Sequence, residues 1–121
     1  MTRKHKVCIV EDDPFLRLDA AELLEEAGFA VEQFTTADRA LAYLQKHAAA
    51  VMMVFTDVRT PGTFDGLTLA RTAAQHWPWI RLLITSGTIG VSDEGMPPRS
   101  TFLRKPWRPA DLLAHAIAAE A

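Results

Sequence analysis

The chain has 121 residues, 49% of them hydrophobic and 23% charged, with 13 Lys and Arg against 15 Asp and Glu for a net charge of −2. That length makes one domain, able to bury about two-thirds of its unfolded surface without a disulfide or metal staple, and half-apolar composition excludes intrinsic disorder. The near-balance of charge gives no electrostatic basis for binding nucleic acid or an anionic membrane, and the longest apolar run, Ala48 to Phe55, falls far short of the roughly 20 residues that span a bilayer.

The N-terminus is basic at Arg3, Lys4 and Lys6, but only four apolar residues follow, Val7 to Val10, so no signal peptide fits. That run instead predicts a strand covered on both faces. Asp13-Pro14 then sets an N-cap before a proline at the first helical position, where its missing N–H costs nothing. Leu16, Ala20, Leu23, Leu24 and Ala27 follow at helical spacing, and Gly28 stops the helix. Phe29–Phe34 predicts a second strand. A second helix starts near Thr36, with Ala37, Leu41, Leu44 and Ala48 on its inner stripe. Val51–Phe55 predicts a third strand. Asp65-Gly66 opens a third helix carrying Leu67, Ala70, Ala74 and Trp77, closed by Pro78. Ile80–Ile84 is a fourth strand, and Thr101–Leu103 a fifth. The last helix starts at Pro109 and is expected to bury Leu112, Leu113, Ala116 and Ile117. From Gly87 to Ser100, Gly90, Gly95, Pro97 and Pro98 leave mostly loop with one helical turn. Strand–helix repetition of this kind implies a parallel α/β sheet with right-handed crossovers and helices on both faces. Its crevice lies beyond the carboxyl ends of the strands, where strand order reverses.

At those ends stand Glu11-Asp12-Asp13, Thr56-Asp57, Thr85-Ser86-Gly87 and Arg104-Lys105-Pro106. Neighbouring carboxylates repel: at 4 Å and an effective dielectric near 20, each like pair costs about 4 kcal/mol. A hard divalent cation held by oxygens is the natural offset, and Mg²⁺ takes one or two carboxylates while leaving positions open for a phosphate. Lys105 would add the remaining positive charge, and the Ser86 hydroxyl suits a phosphoryl oxygen.

The segments Val10-Glu11-Asp12-Asp13-Pro14, Thr56-Asp57-Val58-Arg59, Thr85-Ser86-Gly87 and Lys105-Pro106, in this order over essentially the whole chain, resemble the receiver domain of two-component response regulators. The resemblance implies a doubly wound, flavodoxin-like five-stranded sheet of order 2-1-3-4-5, phosphorylated on an aspartate. By that resemblance Asp57 is the phosphoacceptor. Asp12 is a direct Mg²⁺ ligand, Glu11 an acidic partner acting through water, and the Arg59 backbone carbonyl a further ligand. Ser86 is the switch hydroxyl, Lys105 the phosphate-binding lysine, and Phe102 the aromatic that turns inward on activation. The Lys105–Pro106 bond is expected to be cis. The implied partners are a histidine kinase or phosphotransfer protein and a downstream protein target, with no nucleic acid and no membrane; homodimerisation is left open. No enzymatic activity is expected beyond Mg²⁺-dependent self-phosphorylation and autodephosphorylation.

The chain departs from the family pattern in several places. Thr60 stands where Met is frequent before the loop proline, and Trp107 where Phe is typical. The loop Pro61–Gly66 is one residue longer than the commonest form. Only residues 87–101 separate Ser86 from Phe102, so the fourth helix is expected to be shortened or missing. Arg59 and Thr88, two residues beyond Asp57 and Ser86, occupy positions that tune acyl-phosphate lifetime in the family.

Other residues have structural readings. Asp13 serves as an N-cap rather than a ligand. Cys8, mid-strand and without a partner thiol, reads as a buried small hydrophobe and fits a reducing cytoplasm. His5, His47, His76 and His115 share no metal-binding spacing, and Trp77 and Trp79 read as packing. Three rival functions fit the residues less well. An aspartyl-phosphate phosphohydrolase of the haloacid-dehalogenase type needs a second Asp two residues after the nucleophile, where Arg59 stands. A nucleotide- or flavin-binding module lacks any glycine-rich phosphate motif. A degenerate docking receiver would not need the acidic pair, Asp57, Ser86 and Lys105. Met1 shortly before the first strand favours an authentic start, and the chain ends 15 residues after Pro106. The expectation is one receiver domain over residues 1–121, stand-alone or excised from a larger regulator or hybrid histidine kinase.

Overall fold

Strands and helices alternate along the chain in the computed structural model, which describes residues 6–87 and 96–120. The order is β1 (Lys6–Val10), α1 (Pro14–Glu26), β2 (Ala30–Phe34), α2 (Ala37–His47), one 3-10 turn (Ala48–Ala50), β3 (Val51–Asp57), α3 (Gly66–His76), β4 (Arg81–Ser86), β5 (Ser100–Arg104) and α4 (Pro109–Glu120). All five strands are parallel, in the order β2-β1-β3-β4-β5. The doubly wound sheet is therefore as expected. The shortened or missing fourth helix falls on residues 88–95, as does Thr88, and these lie outside the described residues. Among the described residues no helix stands between β4 and β5, and none is long and apolar enough to cross a membrane.

The helix starts follow from capping chemistry. The Asp13 carboxylate accepts the N–H groups of Phe15 and Leu16, Thr36 Oγ1 that of Arg39, and Asp65 that of Thr68. Each satisfies backbone donors that the first helical turn leaves unpaired. Asp13 thus has the capping role expected of it. Gly28, at φ 97°, terminates α1 in the left-handed conformation that glycine alone adopts at little cost.

Two cores lie on the two faces of the sheet. Ala37, Ala40 and Leu44 of α2 and Leu69, Ala70 and Ala73 of α3 pack on Cys8, Val10, Val54, Leu82 and Ile84. On the other face Ala20, Ala21 and Leu24 of α1 and Leu112 and Ala116 of α4 pack on Val7, Ile9, Phe55 and Leu83. The period-two alternation is broken once. Pairing runs Lys6 to Val51 and then Val7 to Met53, so both Met52 and Met53 face the α1–α4 core. Cys8 is fully buried, and desolvation pushes its thiol up to about 12.

The helical stripes differ from expectation in detail. On α3 the buried set is Gly66, Leu69, Ala70 and Ala73, while Leu67, Ala74 and Trp77 are only half-buried. The cause is Gly66. Its N–H donates to Val58 O at 2.9 Å, and a Cβ there would overlap the Asp57 carbonyl oxygen and lie 2.5 Å from Thr56 Oγ1. The helix therefore sits flush on the end of β3, which sets its rotation. Ala27 is exposed as the cap residue of α1, and Ile117 is 55% exposed because it lies off the α4 face that Leu112 and Ala116 bury against the sheet.

Gly66→Ala is expected to cost about 3 kcal/mol, the upper end for a methyl forced into a filled site, because the obstructing atoms are backbone. Urea denaturation of the variant beside wild type measures it; an unchanged midpoint would contradict the packing described.

Candidate functional site

The sheet places β1 between β2 and β3, so the order in which strands are added reverses between the carboxyl ends of β1 and β3. Val10 pairs with Thr56 across that boundary, which sets Glu11 beside Asp57. Asp57 in turn lies opposite Thr85 at the end of β4. One strand further, the Lys105 N–H donates to Ser86 O at 3.1 Å, extending the β4–β5 pairing past Arg104, and the Lys105–Pro106 bond is cis, as expected. The lysine side chain returns over the sheet end. Its Nζ lies 2.7 Å from Glu11 Oε1 and 2.6 Å from Asp57 Oδ2.

The remaining oxygens of the pair are held by backbone. Asp57 Oδ1 accepts the Arg59 N–H at 3.1 Å, and Glu11 Oε2 accepts the Asp13 N–H at 3.1 Å. Arg17, in the first turn of α1, donates through Nη1 to the Glu11 carbonyl at 3.1 Å. Glu11 and Asp57 are buried while Asp12 is exposed, and one carboxylate oxygen from each of the three lies within 4.8 Å of the others. Three hard oxygen donors, one of them open to solvent, suit a small divalent cation that keeps part of its hydration.

Electrostatics follow burial. Desolvation raises the Glu11 carboxyl above its ordinary 4.5, with the Asp57 charge adding to the shift, although Lys105 and the Asp13 N–H oppose it. For Lys105, desolvation acts to lower the ammonium, but hydrogen bonds to Asp57 and Glu11 outweigh it and hold the group above its ordinary 10.5. Lys105 is therefore a fixed cation throughout the neutral range. It supplies part of the charge offset that the acidic cluster requires.

Glu11, Asp12, Asp57 and Lys105, predicted from separate segments, thus meet at one point. Ser86 is buried at the end of β4, and Phe102 is half-buried in β5 opposite Ile84, against the α2–α3 core. Arg59 is exposed, and its backbone N–H is the group that touches Asp57. Three further residues contribute, none of them with a side-chain role assigned from the sequence. Arg17 reads as an ordinary helix-surface charge. Thr85 is buried with no hydrogen-bond partner for its hydroxyl among the described residues, beside a void of about 10 Å³ shared with Glu11, Asp57 and Trp107. A threonine interrupting the apolar run Leu82-Leu83-Ile84 was the signal available. Trp107, where a smaller aromatic was typical, stacks edge-on against Phe55 with centroids 5.7 Å apart.

Comparison with known proteins bears on this arrangement. A family model for the response regulator receiver domain matches residues 7–117. The C4-dicarboxylate transport transcriptional regulatory protein DctD of Rhizobium meliloti is 36% identical over 87 residues, covering 72% of this chain and 18% of its own length. The response regulator receiver protein CpdR of Brucella abortus is 29% identical over 111 residues, covering 89% of this chain and 90% of its own. Among solved structures, a response regulator receiver protein from Sinorhizobium medicae superposes with a TM-score of 0.86 at 28% identity, over 94% of this chain and 92% of that one. This chain thus spans about a fifth of DctD but nearly all of CpdR.

The raised Glu11 carboxyl has a consequence for stability. A group whose folded pKa is raised contributes stability below its unfolded value, and that contribution is lost as pH rises through the folded value. Ionised Glu11 therefore burdens the metal-free fold at neutral pH. In chelator-treated protein, Glu11→Gln is expected to raise the urea midpoint at pH 7, with the gap closing as pH falls below the ordinary 4.5 of a glutamate. A variant less stable than wild type at pH 7 would contradict this balance.

Proposed function

The chain belongs to the response regulator receiver family of two-component signalling, and from that membership we propose that Asp57 is its phosphoacceptor. The observation that carries the reading is the double ion pair of Lys105, which holds Asp57 beside Glu11 at the sheet's switch point. Response regulators act with histidine kinases and downstream targets, and an upstream kinase or phosphotransfer protein and a downstream protein are proposed here too. Operation in the cytoplasm is also proposed, consistent with one unpaired, buried cysteine.

A carboxylate is a competent nucleophile when its geometry is set in advance. Asp57 is set by the Arg59 N–H on Oδ1 and by Lys105 on Oδ2. An Asp57 oxygen attacks phosphorus in line, its new O–P bond forming as the donor's bond to phosphorus breaks, and the donor leaves with that electron pair. Lys105 moves with the transferred group, its ammonium facing charge that builds on the phosphoryl oxygens. Glu11, Asp12 and Asp57, together with the Arg59 backbone carbonyl, would hold a Mg²⁺ ion. When bound it supplies positive charge that offsets both the carboxylates and the phosphoryl oxygens. Ser86 would then donate its hydroxyl to the phosphoryl group, and its movement would admit Phe102 inward, turning a local charge change into a surface change. Hydrolysis of the acyl phosphate returns the resting state.

Incubation with acetyl phosphate and Mg²⁺ is expected to add one phosphoryl group per chain, read by intact mass, and Asp57→Asn is expected to abolish it. Labelling that persists in Asp57→Asn would refute the assignment, as would absence of any label on wild type with the metal present. Sustained turnover of a generic phosphate ester would favour a phosphohydrolase.

A further inference from the structure

The loop between β3 and α3 carries Arg59, whose N–H holds Asp57, and it is closed at its base by two hydrogen bonds. Val58 N–H donates to Thr85 O at 2.9 Å, and Gly66 N–H to Val58 O at 2.9 Å. Between these stems Arg59, Pro61, Gly62 and Thr63 are exposed. A segment of this length with only its ends secured retains many conformations, each costing order to suppress.

One side chain from another element crosses to its tip. Asp38, in the first turn of α2, accepts the Thr63 N–H through both carboxylate oxygens, at 3.1 and 3.2 Å. The contact reaches 25 residues along the sequence and joins α2 to the loop. Gly62 makes the approach possible. At φ 118° it adopts a backbone that other residues rarely take, and a Cβ there would lie 2.5 Å from Asp38 Oδ1. The loop backbone is thus pressed against the carboxylate. Hydrogen bonding by the Thr63 hydroxyl, with the N–H groups of Thr63 and Phe64, also holds the Asp38 carboxyl below its ordinary value. The acceptor is therefore ionised at any physiological pH, which strengthens such bonds.

We propose that Asp38 is a positioning residue for phosphoryl transfer: by holding the tip of this loop through Thr63, it keeps the Arg59 backbone on Asp57. The proposal rests on the reading of Asp57 as phosphoacceptor. It assigns to α2, which contributes nothing to the acidic cluster, a part in setting that cluster's geometry. It also gives the longer loop a reason to be ordered.

Two substitutions separate the hydrogen bond from the charge. Asp38→Ala removes the acceptor, while alanine's helix propensity keeps α2 intact. Asp38→Asn removes the charge but keeps a carbonyl oxygen for the Thr63 N–H. Amide hydrogen exchange, measured without divalent cation, is expected to quicken at both Thr63 and Arg59 in Asp38→Ala and to stay near wild type in Asp38→Asn. Labelling by acetyl phosphate with Mg²⁺ is expected to slow about ten-fold in Asp38→Ala, the lower end for loss of a group that orients a ligand, with Asp38→Asn close to wild type. Unchanged exchange at Arg59 in Asp38→Ala would overturn the proposal, even if wild type proved not to be phosphorylated, which would instead refute the reading of Asp57. Labelling of Asp38→Ala at the wild-type rate, or of Asp38→Asn as slowly as Asp38→Ala, would overturn it as well.

Discussion

Two buried carboxylates held side by side are the constraint on which this structure turns. Glu11 and Asp57 end adjacent parallel strands whose register leaves them no room to separate. Like charges in a partly dry site repel by several kcal/mol at short range, so the fold stands only if a cation is built in. Lys105 is that cation, with one ammonium shared between the two at 2.7 and 2.6 Å. Backbone N–H groups take the oxygens that remain. The arrangement is satisfied but not relaxed, since burial still leaves Glu11 above its ordinary value. A site that balances on one lysine is well suited to accept further positive charge and then a phosphoryl group.

The scaffold around the site is stiff where the acids sit. β1, β3 and β4 are buried on both faces, and alanine-rich helix faces let α1 and α3 approach the sheet closely. Gly66 removes the last spacing between α3 and the end of β3. Stiffness of this sort matters for chemistry, because displacement of a reacting group by an ångström costs rate out of proportion to the movement. The exposed loop after Asp57 is held from outside, by Asp38 on α2.

Much of this was legible in the chain. Continuous apolar runs announce strands covered on both faces, and Asp13-Pro14, Thr36 and Asp65-Gly66 announce helix starts because unpaired N–H groups need acceptors. The acids at the strand ends, Lys105 and Ser86 were visible because α/β topology fixes where strand ends meet. Less legible was the rotation of each helix. Leu67, Ala74 and Trp77 promised a stripe that the seating of Gly66 displaced, and Ile117 was apolar at a position that α4 leaves in solvent. Asp38 was an ordinary helix-surface acid until a segment 25 residues away came beside it.

By itself the sequence determined the class of fold, the order of its elements, and which acidic and basic groups gather at one end of the sheet. These follow from local periodicity, capping and connection rules, each acting over a few residues or one strand–helix unit. Only the tertiary structure decided that Lys105 bridges Glu11 and Asp57 at once and that Asp38 grips Thr63. The distances involved, 94, 48 and 25 residues along the chain, explain the division. No local preference can set contacts between segments so far apart; they exist because the sheet brings the strand ends together and the loops then close on what they find.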